Sequence, residues 1–358
     1  MTEKKTILFF NTNKAWGGGE KWHFEMAQEL QKRYYNVCVF AHKDGELLKS
    51  CNKYHIDHVG ICVKKFSFLN PFAIAKLKNK LLSANADTII LNLPSDMKAG
   101  GLAAKKAGIK NILYRRGTAL PVKPHPVNRY FFKNILTGII ANSKKTKELI
   151  NQKHKLIDEN KIFVVYNGLK KCFTQKSNKE SNTFLIGNAG RLVYQKGQDY
   201  LIELALLLRA EGLNFELQIA GEGPLRQALK QKIQAHHLED HVKLPGFKND
   251  LNAFYSALDL FVLPSRWEGF GYVMTEAMLC GVPVIAFNIS SNPEIIKDGL
   301  NGYLVPFEDI HTLKEKVLEL SGNNEKRQKM SQNARSYALE QFTLSASVKK
   351  LENIINTL

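Results

Sequence analysis

Short apolar runs alternate with amphipathic stretches along almost the whole chain. Runs of strand length occur at 6–11, 37–41, 88–93, 111–114 and 138–141. Between them, 20–34 and 71–84 carry apolar residues at helical spacing. Beyond residue 182 the same grammar returns. Strands are predicted at 184–187, 215–220, 242–244, 259–263, 284–287 and 302–305, with helices around 197–211, 225–236, 251–257 and 273–279. Strands alternating with helices predict parallel, doubly wound α/β sheets. No internal repeat of solenoid length is present. The stretch 170–182 is polar and unpatterned between the two strand series and is predicted to be a linker. The last segment, 344–358, is predicted to be an amphipathic helix.

Composition fits this picture. A chain of 358 residues has the length of two ordinary domains. A hydrophobic content of 44% is that of a water-soluble globular protein. No apolar run is long enough to predict a membrane-spanning helix. The first residues, Met1-Thr2-Glu3-Lys4-Lys5, do not have the pattern of a cleaved signal peptide. Cys38, Cys51, Cys62, Cys172 and Cys280 are scattered and odd in number, as expected of structural thiols in a reducing cytoplasm.

Charge adds an asymmetry. The formal net charge is +18. Residues 1–175 hold 31 Lys and Arg against 12 Asp and Glu, while 176–358 hold 20 against 21. A basic half joined to a neutral one predicts that the first half meets a polyanion. Anionic lipid, a phosphorylated glycolipid and nucleic acid are the candidates. Two basic segments with aromatics, Lys64-Lys65-Phe66-Ser67-Phe68-Leu69 and Arg129-Tyr130-Phe131-Phe132-Lys133, suit an anionic membrane interface.

Candidate chemistry gathers in the second half. Pro264-Ser265-Arg266-Trp267-Glu268-Gly269-Phe270-Gly271 follows an apolar strand run, and Glu276 stands in the helix predicted next. In open α/β sheets the carboxyl rim of the strands is where ligands bind. Two acceptor-only carboxylates flanking a glycine turn suit a polyhydroxyl ligand. Gly190-Arg191-Leu192-Val193-Tyr194-Gln195-Lys196-Gly197 follows the first strand of this half. Its Arg191 and Lys196, beside a helix N-terminus, suit a diphosphate. Gly17-Gly18-Gly19-Glu20 opens the first helix in the same manner. The dinucleotide fingerprint Gly-x-Gly-x-x-Gly occurs nowhere, which argues against a dehydrogenase.

Ser-x-x-Glu-Gly-Phe-Gly followed by Glu-Ala-Met-x-x-Gly-Val-Pro-Val-Ile-Ala resembles the signature of retaining glycosyltransferases of family 4. The resemblance extends along nearly the whole chain. It implies the GT-B fold, two Rossmann-like doubly wound domains facing across a cleft. Residues 1–172 would be the acceptor-binding domain, 173–343 the nucleotide-sugar-binding domain, and 344–358 a helix crossing back to the first. It implies a hexosyltransferase that uses a UDP- or GDP-linked donor and no cofactor. Arg191, Lys196 and Glu268 would be catalytic. Gly18 and Gly19 would face the donor diphosphate and the acceptor. Gly221, Gly246, Phe247, Gly269, Phe270 and Gly271 would line the donor, and Glu276 would hold the ribose hydroxyls. No metal-holding Asp-x-Asp is present, so Arg191, Lys196 and backbone N–H groups would neutralise the leaving phosphate.

One position departs from the pattern. Where many relatives place a histidine in the first domain, this chain has Arg115-Arg116-Gly117-Thr118, and the nearest histidine is His125. Arg115 and Arg116 are the alternative, as receivers of an anionic acceptor. The expected acceptor is an envelope glycan or glycolipid (lipopolysaccharide, lipid-linked or capsular). The expected place is the cytoplasm, peripheral on the inner face of the plasma membrane. A nucleotide-sugar epimerase and a basic nucleic-acid-binding protein are the competing readings. No RNA motif, zinc spacing or aromatic platform supports the second, so no nucleic-acid partner is expected.

Overall fold

The computed structural model describes residues 5–170, 182–248 and 250–358. Most of the predicted linker, with Cys172 and the predicted boundary at 172/173, lies outside the described residues. The chain divides into two compact units, Met1–Gly168 with Leu344–Leu358, and Leu169–Thr343.

In the first unit the strands are β1 (Thr6–Asn11), β2 (Asn36–His42), β3 (His58–Ile61), β4 (Thr88–Leu91), β5 (Asn111–Arg116), β6 (Gly138–Ala141) and β7 (Ile162–Val164). They pair in the order β3-β2-β1-β4-β5-β6-β7, all parallel. Parallel strands joined by helical crossovers have both faces covered, so β1 and β4 carry the apolar runs 7–10 and 89–91. Leu8, Phe10, Ile89 and Leu91 enter one core; Ile7, Phe9, Val39 and Ile90 enter the other. The helix Leu344–Thr357 joins that second core through Leu344, Val348, Leu351 and Ile355, spaced for one helix face. Lys5 Nζ and Arg33 hold its flank through the Ile355 carbonyl and the Glu352 carboxylate.

In the second unit the strands are β8 (Phe184–Ala189), β9 (Phe215–Ala220), β10 (Val242–Gly246), β11 (Leu260–Leu263), β12 (Val284–Phe287) and β13 (Gly302–Val305). Their order is β10-β9-β8-β11-β12-β13, again all parallel.

Several bounds differ from the sequence expectation. The strand predicted at 88–93 stops at Leu91, because Pro94 opens a helix capped by Asp96. The strand predicted at 111–114 runs on to Arg116, paired with Ala141. Buried Cys51 and Cys280 have thiols that burial pushes up to about 12. Among the described residues no helix is long and apolar enough to cross a membrane.

Candidate active site

The strand order creates a switch point in each sheet. In the second unit it lies between β8 and β11, where chain order reverses direction across the sheet. Loops leaving adjacent strands there part to opposite faces and open a crevice at the carboxyl rim. The loop after β8 carries Arg191 and Lys196. The loop after β11 carries Ser265 to Gly271. Topology therefore brings together residues more than seventy positions apart.

Their contacts are direct. Lys196 Nζ donates to Glu268 Oε1 at 2.5 Å, with side chains only 13% and 6% exposed. Ser265, fully buried, donates its hydroxyl to the same oxygen at 2.7 Å. An ion pair this secluded is held against its desolvation cost only by close geometry and further hydrogen bonds. The backbones are stitched as well. Arg266 N donates to the Gln195 carbonyl at 2.8 Å, and Gln195 Nε2 donates to the Trp267 carbonyl at 2.9 Å. Arg266 grips the Asp199 carboxylate with two nitrogens, at 3.1 and 2.7 Å, and stacks 4.0 Å from the Tyr194 ring centroid. Burial raises the pKa of Asp199, but the Arg266 hydrogen bonds and charge outweigh it and leave the carboxyl below its usual range. Arg191 stays exposed at the start of the loop.

Gly197 makes this junction possible. It sits at φ +63°, and a Cβ there would lie 2.0 Å from the Pro264 carbonyl oxygen. The helix Gln198–Ala210 starts at the next residue.

Glu276 lies one turn into the helix Tyr272–Leu279 and is buried. Its Oε2 accepts from the buried Tyr255 hydroxyl at 3.1 Å. Burial, and then the Glu276 charge, push the Tyr255 phenol well above its ordinary range, so it stays protonated and donates. Gly221 follows β9 and Gly246 ends β10 on the same rim, and Phe247 stands largely exposed beyond them. Phe270 is placed differently from its neighbours Gly269 and Gly271. Its ring is buried edge-on against Tyr272 and Phe342, so the ring is not open to the crevice. Sequence reasoning passed over Tyr255 and Asp199, whose roles come from contacts distant in the chain. Ser265 had a signal, as the serine of Ser-x-x-Glu.

The first unit has its own switch point, between β1 and β4. Gly18 and Gly19 are the first residues of the helix Gly18–Lys32 there. Around them is a buried polar set the sequence did not single out. Asp96 accepts from the backbone of Thr12 at 3.1 Å and of Leu93 at 3.0 Å, and from the Thr12 hydroxyl. Burial pushes its carboxyl up to about 7 despite these bonds. His23 is buried, and burial followed by the Arg115 charge pushes its imidazole down to about 3, so the ring is neutral. Arg115 is buried too. Its guanidinium lies over the Trp22 ring at 4.8 Å and donates to Asn92 Oδ1 at 3.3 Å and Asn167 Oδ1 at 3.0 Å. Arg116 is half-buried and donates to the Leu120 carbonyl. His125 is exposed and precedes the helix Pro126–Asn134. Among the described residues no three His, Cys, Asp or Glu side chains are grouped to hold a metal ion.

Known proteins share this organisation. Residues 16–170 match the family described as Glycosyltransferase Family 4, and 170–337 the family described as Glycosyl transferases group 1. An uncharacterized glycosyltransferase of Methanocaldococcus jannaschii is 29% identical over 333 residues, spanning 90% of each chain. The poly(ribitol-phosphate) alpha-N-acetylglucosaminyltransferase of Staphylococcus aureus is 25% identical, over 99% of this chain and 74% of its own. Anabaena HepE, solved in complex with UDP, matches with a TM-score of 0.88 at 22% identity, over 99% of this chain and 100% of that one. The chain belongs to the family 4 glycosyltransferases of the GT-B fold. It is an enzyme that transfers a sugar.

Proposed function

We propose that the chain moves a hexose-type sugar from a UDP-linked donor to an envelope glycan or glycolipid, with retention and without a metal ion. The observation that carries this reading is the Lys196–Glu268 pair at the switch point, with Arg191 exposed at the start of the same loop. When the bond from the sugar to the diphosphate breaks, negative charge grows on the leaving oxygen. Fixed cations that meet this charge stabilise the transition state more than the ground state. Lys196 keeps two further N–H donors for the phosphate while it holds Glu268. Ser265 and Lys196 occupy Glu268 Oε1, which orients the carboxylate for the sugar hydroxyls. The leaving phosphate takes the acceptor proton in a front-face attack. A donor carrying uracil is supported by HepE, solved with UDP and with UDP-glucose. An anionic envelope acceptor is supported by the S. aureus relative, named for poly(ribitol-phosphate). The same reading places the enzyme peripherally on the inner face of the plasma membrane.

The test is a transfer assay with UDP-hexoses, run with and without a strong chelator. Activity is expected to survive chelation and the product anomer to match the donor. UDP should also raise the melting temperature, worth about 2.7 kcal/mol at about a hundred times Kd. Activity abolished by chelator and restored by a divalent ion would overturn metal independence. An inverted product would overturn retention.

Glu276 is the ribose ligand in this reading, and Tyr255 fixes its carboxylate. Tyr255→Phe should weaken UDP about tenfold, the worth of one hydrogen bond to a charged group. A 2′,3′-dideoxy analogue of UDP should bind wild type and variant alike. Calorimetry decides: equal losses for both nucleotides, or none for UDP, would remove the ribose role.

A further inference from the structure

The proposed membrane location has a face in this structure. Residues 58–86 contain five Lys and no Asp, Glu or Arg, and 97–147 contain twelve Lys and Arg with no Asp or Glu. The first unit, residues 1–168 with 344–358, holds 31 Lys and Arg against 13 Asp and Glu; residues 169–343 hold 20 of each. The two acid-free segments meet. Phe68, in the turn before the helix Pro71–Ser83, stands edge-on to Phe131 of the helix Pro126–Asn134, with ring centroids 6.1 Å apart. Both helices and the turn pack against the helix Pro94–Lys106, whose Lys98 ammonium lies 5.4 Å from the Phe68 ring centroid.

Large apolar side chains stand out from this junction. Phe72 is 84% exposed, Leu69 68% and Phe66 62%, and Tyr130 is exposed beside them on Phe131. Folding that buries a core normally covers such groups, so a cluster of them marks an interaction surface. Lys64, Lys65, Arg129 and Lys133 are exposed on the same two segments. Lys76 stands one helical turn beyond Phe72.

We propose that this face, built from 64–72 and 126–133, docks the enzyme on an anionic bilayer. Phe66, Leu69, Phe72 and Tyr130 enter the headgroup region, and the flanking Lys and Arg side chains meet the lipid phosphates. Aromatics and leucine with basic neighbours suit that interface, where the apolar part is buried and the charge stays wet. A nucleic acid would use the charge but offers little to Leu69 and to a phenylalanine projecting from a helix start. The inference deepens the membrane location proposed above and rests on it.

The experiment is co-sedimentation of the full chain with vesicles of phosphatidylcholine alone or with added phosphatidylglycerol, across a salt series. UDP binding is followed on the same preparations. Wild type should bind the anionic vesicles at low salt, release them as salt rises, and ignore the neutral ones. Each basic residue near an anionic surface is worth about fivefold. Reversing Lys64, Lys65, Arg129 and Lys133 to Glu should therefore weaken partitioning by about 100-fold or more. Leu69→Ser with Phe72→Ser should weaken it by about tenfold or more, with melting temperature unchanged because both groups are exposed. UDP affinity should stay within twofold in every variant. Wild type that binds UDP but not anionic vesicles overturns the docking face and leaves the transferase reading standing. So does binding unaffected by either set of changes, or binding to RNA with none to vesicles. Vesicle binding without any UDP binding leaves the face standing and overturns the donor reading.

Discussion

Lys196→Ala should lower kcat/KM by about 10²–10³, the loss typical of one preorganised partner of a developing anion. Two effects act in the same direction. The variant loses a cation from the switch point. It also leaves the Glu268 carboxylate, 6% exposed, without the ammonium that sits 2.5 Å from it. An unpaired buried carboxylate beside a diphosphate repels it and relaxes from its orientation. Lys196→Arg should recover part of the rate, since the charge is kept but the guanidinium is too broad for the same seat. Because Lys196 and Glu268 act as one unit, Lys196→Ala with Glu268→Gln should cost about as much as either change alone, not the product of the two. Steady-state kinetics on the single and double variants, with melting curves as control, provide the check. Activity within a few-fold of wild type, at unchanged stability, would remove Lys196 from the chemistry.

Gly197→Ala should destabilise the protein by about 2–5 kcal/mol, combining a left-handed backbone cost with an overpacking cost. Its φ is +63°, and the new Cβ would lie 2.0 Å from a backbone carbonyl that has no rotamer to escape through. Relief requires the loop after β8 to part from the loop after β11, so the Lys196–Glu268 geometry should be lost with the stability. Gly212 is the control. It also has positive φ, +71°, but a Cβ there meets nothing within 4 Å. Gly212→Ala should cost only about 1–2 kcal/mol, and UDP affinity should not change. Urea unfolding of the two variants separates the terms. Equal destabilisation at both positions would mean that the contact with Pro264 is unimportant.

Legibility in the sequence followed burial. The strands Thr6–Asn11, Gly138–Ala141, Phe215–Ala220, Val284–Phe287 and Gly302–Val305 have the bounds that their apolar runs predict. Most of their residues are buried, and a parallel strand covered on both faces needs a continuous apolar run. The strands His58–Ile61 and Ile162–Val164 were not legible. They lie at the two edges of their sheet and are mostly half-covered; Gly60 interrupts the first, and the second, although it falls in the apolar run Ile162-Phe163-Val164-Val165, is only three residues long. The helix Asn324–Gln341 was missed for a related reason. Its buried residues are Met330, Ala334 and Ala338, a stripe too thin to stand out in a polar segment.

The sequence by itself determined the alternation of strands and helices, the glycine turns at their ends, and the residue types in the loops. These are local properties, written in runs, periods and punctuation. It also determined the charge asymmetry, since counting needs no coordinates. Tertiary structure alone decided which loops share a crevice. Pairing β8 with β11 rather than with β10 sets Lys196 against Glu268, Arg266 against Asp199, and Gly197 against Pro264. It also decided that Arg115 turns inward to Asn92 and Asn167 while Phe72 turns outward. The physical reason is that a side chain's partner is chosen by the packing of whole elements, and strand order, unlike strand propensity, leaves no mark on the residues nearby.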